Sequence, residues 1–178
     1  MGDSAGGNLC TSLCYWLIEN NERKPDLLLL FYPALTLDIK YTPALAYTFQ
    51  DYLLNYGSMS CSLRAYVPEF TDTLFDYYLS PLQAPKELLQ KMPKTRVCVG
   101  TKDALRDESY RWALKMYDAG VDIHLYRFTY LGHGLLNVNE NTFFPAKLFN
   151  RVALSCLTLG LMDDDNIVTQ YRLVKEEK

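Results

Sequence analysis

Apolar residues recur at Leu9, Leu13, Trp16 and Leu17, with Cys10 and Cys14 widening the stripe. The spacing is helical, and so wide a stripe predicts a buried helix, ended by Asn20-Asn21 and Pro25. Leu27-Leu28-Leu29-Leu30-Phe31-Tyr32 follows without a polar break and closes at Pro33. Such a run predicts a strand covered on both faces, as in a parallel sheet. Regularity is lost over 38–92, and Pro43, Pro68, Pro81, Pro85 and Pro93 punctuate this part of the chain. Residues 52–66 and 74–79 are its helical candidates. A connection this long is either a surface excursion with its own small core or a cap over a substrate pocket. Arg96-Val97-Cys98-Val99 then reads as a short strand ending at Gly100. Tyr110, Ala113, Leu114 and Tyr117 mark a helix, with Asp107 as its N-cap and Gly120 just past its end. Residues 122–128 form the next expected strand. Pro145 opens a last helix carried by Phe149, Val152, Ala153, Cys156 and Leu159 and closed by Gly160. Residues 163–178 are expected to be a polar tail. The order helix, strand, excursion, strand, helix, strand, helix predicts an α/β fold with a parallel sheet.

Composition narrows the partners. The 178 residues make about one domain, enough to bury a core. Eighteen basic and 21 acidic residues leave a net charge of −3, which gives no reason to expect nucleic acid or an anionic membrane surface. The five cysteines include no C-x-x-C, and only two histidines accompany them, so neither a disulfide framework nor a zinc site is expected. Cys10 and Cys14 read as small core residues. A reducing, cytoplasmic compartment fits best. No signal peptide is visible. Residues 148–162 are apolar but contain Asn150 and Arg151 and are too short to span a bilayer. Tyrosines crowd the stretch from Tyr41 to Tyr78, which suits either an aromatic-lined pocket or ordinary half-buried packing.

The chemistry is concentrated at the beginning, in Met1-Gly2-Asp3-Ser4-Ala5-Gly6-Gly7. Gly2-x-Ser4-x-Gly6 is the nucleophile-elbow pattern. A serine nucleophile must stand on a sharp strand-to-helix turn, so the residues two before and two after it must lack bulk. The N–H of Ala5, at the helix start, would face an oxyanion formed at a carbonyl attacked by Ser4. A random G-x-S-x-G turns up in roughly 5% of chains this long, so the motif needs partners. A serine hydroxyl requires a base, and the base an orienting group. His124 lies inside an expected strand and reads as structural. His133 lies in Tyr130-Leu131-Gly132-His133-Gly134, a glycine-flanked loop after a strand, where sites form in open parallel sheets. Asp103 follows the strand ending at Gly100 and suits the orienting carboxylate, whereas Asp107 has a structural task as a cap. The chain order Ser4, Asp103, His133 is that of the α/β-hydrolases.

The sequence resembles the hormone-sensitive lipase family of α/β-hydrolases. Gly2-Asp3-Ser4-Ala5-Gly6-Gly7-Asn8-Leu9 is similar to that family's elbow, the block from Gly100 to Glu108 to its acid block, and His133-Gly134-Leu135-Leu136 to its histidine block. Tyr78-Leu79-Ser80-Pro81 also has the family's character. The resemblance extends to about Leu161. It implies a carboxylic ester hydrolase working on acyl esters through a Ser-His-Asp triad and an acyl-enzyme, with no metal or diffusible cofactor. It leaves contact with a lipid surface open, and it says nothing of oligomeric state. In that family a half-sheet and a His-Gly-Gly loop, which donates further oxyanion N–H groups, precede the elbow. Neither is found here. The chain is therefore expected to be an incomplete α/β-hydrolase fold of about three parallel strands with flanking helices. It would be the C-terminal part of a larger enzyme, truncated at the elbow, with residues 1–162 as the hydrolase portion. As such it would be nearly inactive alone, with an exposed apolar edge and face at its first strand. Two other readings remain. One is a non-catalytic binding module, as the same fold serves in the gibberellin receptor, where the triad histidine is not kept. The other is a peptidase of the same fold.

Overall fold

The structure, a computed structural model, describes residues 1–37, 43–51, 53–67 and 75–134. Four strands form one parallel sheet in the order β1-β2-β3-β4, with β1 at Gly2–Asp3, β2 at Leu27–Phe31, β3 at Lys94–Gly100 and β4 at Ile123–Phe128. The helices are α1 (Ser4–Glu19), α2 (Tyr56–Tyr66), α3 (Lys86–Leu89) and α4 (Arg106–Asp118). Three strands were expected from the sequence. The fourth, β1, is only two residues long and pairs Gly2 with Leu30 and Asp3 with Phe31. Its residues read as a turn motif, so periodicity could not reveal it. The expected helix from Pro145 and the tail 163–178 lie outside the described residues.

The apolar run of β2 is covered on both faces, with Leu28, Leu29, Leu30 and Phe31 all buried. Side chains alternate across a strand, so the run divides between two cores. Leu28, Leu30 and Val97 pack with Tyr15, Trp112, Ala113 and Met116. Leu29, Phe31 and Cys98 pack with Tyr32, Tyr126, Phe128 and Leu131. Each such side chain removed from water contributes about 1.5–3 kcal/mol. Asn21 ends the α1 segment in the left-handed conformation (φ 56°), and Gly120 does the same after α4 (φ 85°).

The orientation of α1 corrects the expectation from its stripe. Leu9, Leu13 and Trp16 point outward, each about half exposed, while Gly7, Asn8, Thr11, Cys14 and Tyr15 are buried. Polar anchors decide the face. The Asn8 amide donates to the carbonyls of Ala34 and Leu79, and the Tyr15 hydroxyl donates to Pro81 O and accepts from Trp112 Nε1. Gly7 lies against Pro33, whose Cβ would be 2.7 Å from a Cβ at position 7. The core face of α4 is likewise rotated from the expected one. Ser109, Trp112, Ala113 and Met116 are buried, and Leu114 is exposed.

The excursion is partly helical as expected: α2 lies inside 52–66, capped by Asn55, whose Oδ1 accepts from Ser58 N–H. The candidate at 74–79 is not a helix in its described part, 75–79. Asp76 turns the chain there by accepting backbone N–H groups. Asp107 does not cap α4. Its Oδ2 accepts from Ala44 N–H and its Oδ1 pairs with Arg106, tying the 3-10 turn Pro43–Phe49 to α4.

Candidate active site

The carboxyl ends of β1, β3 and β4 bring three loops together. Ser4 follows β1 directly and starts α1. Its backbone is in the left-handed region (φ 50°), a conformation that costs a non-glycine residue roughly 1–3 kcal/mol and persists only when its surroundings enforce it. They do so here. A Cβ at Gly2 would fall 2.4 Å from Gly6 O, and Ser4 O accepts from Ala34 N–H. The expected need for a small residue at position 6 is milder. A Cβ at Gly6 would meet only Asp3 Oδ1, at 3.8 Å. The tight position on that side is Gly7.

Loop 129–134, after β4, is bound to loop 100–105, after β3. Thr101 N–H donates to Phe128 O, Lys102 N–H to Leu131 O, and Tyr130 N–H to Thr101 Oγ1. Gly100 makes the approach possible, because a Cβ there would fall 2.2 Å from Leu131 O. The result places His133 Nε2 2.8 Å from Ser4 Oγ. His133 Nδ1 lies 3.1 and 3.2 Å from the two oxygens of Asp103, which is fully buried. Asp103 also has a local task that the sequence did not suggest, since its Oδ1 accepts from Leu105 N–H. The Tyr32 ring, fully buried just after β2, meets the imidazole edge-on at 4.8 Å. His124 stays in β4, 3.5 Å from Asp122, away from this cluster. Serine, imidazole and carboxylate thus stand in a chain along which a proton can move from Oγ to Nε2, with positive charge on the ring balanced by Asp103.

A cavity of about 280 Å³ opens beside Ser4 and Ala5. Its walls are mostly aliphatic: Leu9, Ala34, Leu37 and Leu105 from the sheet side, and Leu54, Met59 and Leu63 from the excursion. Tyr66 is the one aromatic among its described lining residues, while Tyr47 and Tyr130 line a second cavity beside His133. Tyr47 also lies under Lys102 and Arg106, and Tyr77 and Tyr78 donate to Glu19. Ala5, the second residue of α1, carries an N–H group of the kind a helix start leaves without an intrahelical partner. Among the described residues no cluster of three or more His, Cys, Asp or Glu could hold a metal ion, and no helix is long and apolar enough to cross a membrane.

Sequence reasoning missed two acidic residues that support the site. Asp51, half-buried, accepts from His133 N–H. Glu108, on α4, is buried and accepts from Leu35 N–H, holding the loop that carries Ala34 and Leu37. The Asp107-Glu108 pair was visible as part of the acid block, but nothing local distinguishes a buried glutamate from a solvated one at a helix start. Burial pushes the Glu108 carboxyl up to about 8, against the lowering pull of the Leu35 N–H; the Asp103 charge adds to the rise. Its folded value therefore lies above its unfolded value of 4.5. Between these two the unfolded chain releases a proton that the folded chain retains, so this group's contribution favours folding less as pH rises. Wild-type protein is expected to lose urea resistance relative to Glu108→Gln between about pH 5 and pH 8, by an amount on the order of a few kcal/mol. Urea midpoints of both proteins across that range check it; a constant difference would contradict the buried neutral carboxyl.

Residues 1–137 match the alpha/beta hydrolase fold family. The chain is 32% identical over 148 residues to an esterase of Acinetobacter venetianus, covering 81% of this chain and 46% of that protein. Over 63 residues it is 38% identical to neutral cholesterol ester hydrolase 1 of Rattus norvegicus, covering 35% of this chain and 15% of that one. Carboxyl esterase 2 of the fungus Tuber melanosporum superposes with a TM-score of 0.82 at 22% identity, over 90% of this chain and 52% of that one. A thermostable esterase of Pseudomonas putida superposes with a TM-score of 0.70 at 25% identity, over 86% and 46%. The chain thus spans about half the length of the esterases it matches. From the elbow through the histidine loop, it belongs to the α/β-hydrolase fold family of hormone-sensitive lipase type.

Proposed function

We propose that the chain carries the reacting residues of a serine carboxylic ester hydrolase. The observation that supports this reading best is the continuous contact from Ser4 Oγ through the His133 ring to Asp103. His133 Nε2 takes the Ser4 proton as Oγ bonds to the ester carbonyl carbon. Asp103 accepts from Nδ1–H and so keeps the Nε2 lone pair facing the serine. The carbonyl oxygen becomes an oxyanion, to which Ala5 N–H donates. Collapse of this intermediate breaks the bond to the alcohol, which leaves with the proton from Nε2. Water then gives a proton to Nε2 and its oxygen to the acyl carbon, and the acid departs as Ser4 regains its proton.

The aliphatic cavity beside Ser4 suits an apolar acyl or alkyl group, with α2 acting as part of a cap. Its volume lies near the lower bound of ligand pockets, roughly 300–1,000 Å³. One absent oxyanion donor costs on the order of 10²–10³ in rate. With Ala5 as the one donor assigned among the described residues, turnover by this chain alone is expected to be slow, and covalent capture of Ser4 is the more sensitive assay. A fluorophosphonate should label the chain, and any longer protein that contains it, with the adduct lost in Ser4→Ala. Persistence of the adduct in that variant would remove Ser4 from its role.

A further inference from the structure

Asp51 lies outside the serine relay, in the excursion between β2 and β3, yet it touches both the relay and the cavity wall. Its Oδ2 accepts from the backbone N–H of His133 at 3.0 Å, bridging 82 positions of sequence. Its Oδ1 accepts from Leu53 N–H and Leu54 N–H at 2.8 and 2.9 Å, closing the turn that leads into α2. Leu54, Met59 and Leu63, on that turn and helix, form the excursion side of the apolar cavity beside Ser4. The fit is close, because a Cβ at Gly132 would fall 3.2 Å from Oδ2. One carboxylate therefore satisfies three backbone donors, one from the histidine loop and two from the pocket wall. An ionised carboxylate offers acceptors on both oxygens, whereas an amide offers one acceptor and one donor group. No neutral isostere can serve both sides at once.

We propose that Asp51 is a positioning residue that couples occupation of the apolar cavity to the placement of His133. An alkyl or acyl chain seated against Leu54 holds the turn, the turn holds the carboxylate, and the carboxylate holds the main chain of the imidazole. Asp51 thereby sets how strongly the reactivity of Ser4 depends on the length of the apolar group. This rests on the ester-hydrolase reading above.

The test compares fluorophosphonates bearing ethyl and octyl chains, with the maximal labelling rate separated from the binding constant. Wild-type protein is expected to react faster at saturation with the octyl reagent. Asp51→Asn should reduce that maximal rate about tenfold or more and abolish the chain-length advantage, with little change in binding. Asn55→Ala removes the α2 cap without touching His133, so it should keep the chain-length advantage. Amide exchange supplies a readout that needs no labelling. His133 N–H should exchange at least about tenfold faster in Asp51→Asn and remain as in wild type in Asn55→Ala. If Asp51→Asn does not fold, Gly132→Ala, which crowds the carboxylate and keeps its charge, should show the same pattern in weaker form. Wild-type rates and chain-length dependence in a folded Asp51→Asn protein would overturn the proposal while leaving Ser4 as nucleophile. Labelling that survives Ser4→Ala would instead overturn the reading on which it rests.

Discussion

His133→Ala is expected to slow phosphonate capture by Ser4 by a factor on the order of 10⁴–10⁶ with the fold intact. Among the described residues the serine hydroxyl then has no imidazole within reach, since the other histidine, His124, is held in β4 beside Asp122. Removing the ring leaves Asp103 buried with one partner fewer, but its bond from Leu105 N–H remains. Asp103→Asn should cost on the order of 10⁴ by a different route. An asparagine can still accept from Leu105 N–H with its oxygen, which turns its NH₂ toward Nδ1. The ring must then carry its proton on Nε2, where it cannot accept one from Ser4. Because imidazole and carboxylate act as a unit, adding Asp103→Asn to His133→Ala should slow capture little further. Labelling rates followed by intact-protein mass spectrometry, with far-UV circular dichroism to confirm folding, read all of these. A His133→Ala protein that reacts at the wild-type rate would exclude the imidazole as base.

Gly100→Ala is the second large effect, and no side chain of the relay is altered by it. The new Cβ would lie 2.2 Å from Leu131 O, 2.7 Å from Leu131 C and 3.1 Å from Gly132 O. All three are backbone atoms of the loop that carries His133, so no flexible side chain can yield. The loop must move by about 1 Å, and a displacement of that size at a reacting group costs roughly 10² in rate. The same crowding should lower stability by about 1–3 kcal/mol, because it strains the hydrogen bond from Lys102 N–H to Leu131 O. Urea denaturation and Ser4 labelling measure the two parts. Normal labelling in Gly100→Ala would mean that the loop tolerates displacement and that the 2.8 Å contact is not essential.

Local signals explain what the sequence allowed one to read. The elbow is legible because a left-handed Ser4 needs a bare neighbour at Gly2, and this constraint spans only a few residues. The buried strand is legible because its leucines have cores on both sides. The three relay residues are legible because each follows a strand in a parallel sheet, where loops at carboxyl ends converge. Orientation and long-range support are a different matter. Helix α1 carries apolar residues around much of its surface, so periodicity could not tell the Leu9–Leu13–Trp16 side from the Thr11–Cys14–Tyr15 side. Hydrogen bonds of Asn8 and Tyr15 to distant backbone make that choice. In the sequence, Asp103 and Asp107 differ only in that the second stands where a cap of α4 is expected. In the structure Asp107 reaches Ala44 instead. Asp51 carries no motif at all, and its partners His133 and Leu54 meet only after the excursion has folded back over the sheet.

The relay works only if one proton sits on the side of the ring away from Ser4. With ¹⁵N in both imidazole nitrogens, His133 of the neutral form should show a protonated Nδ1 and an unprotonated Nε2, and this preference should reverse in Asp103→Asn. A wild-type ring carrying its proton on Nε2, or exchanging freely between the two nitrogens, would contradict the relay.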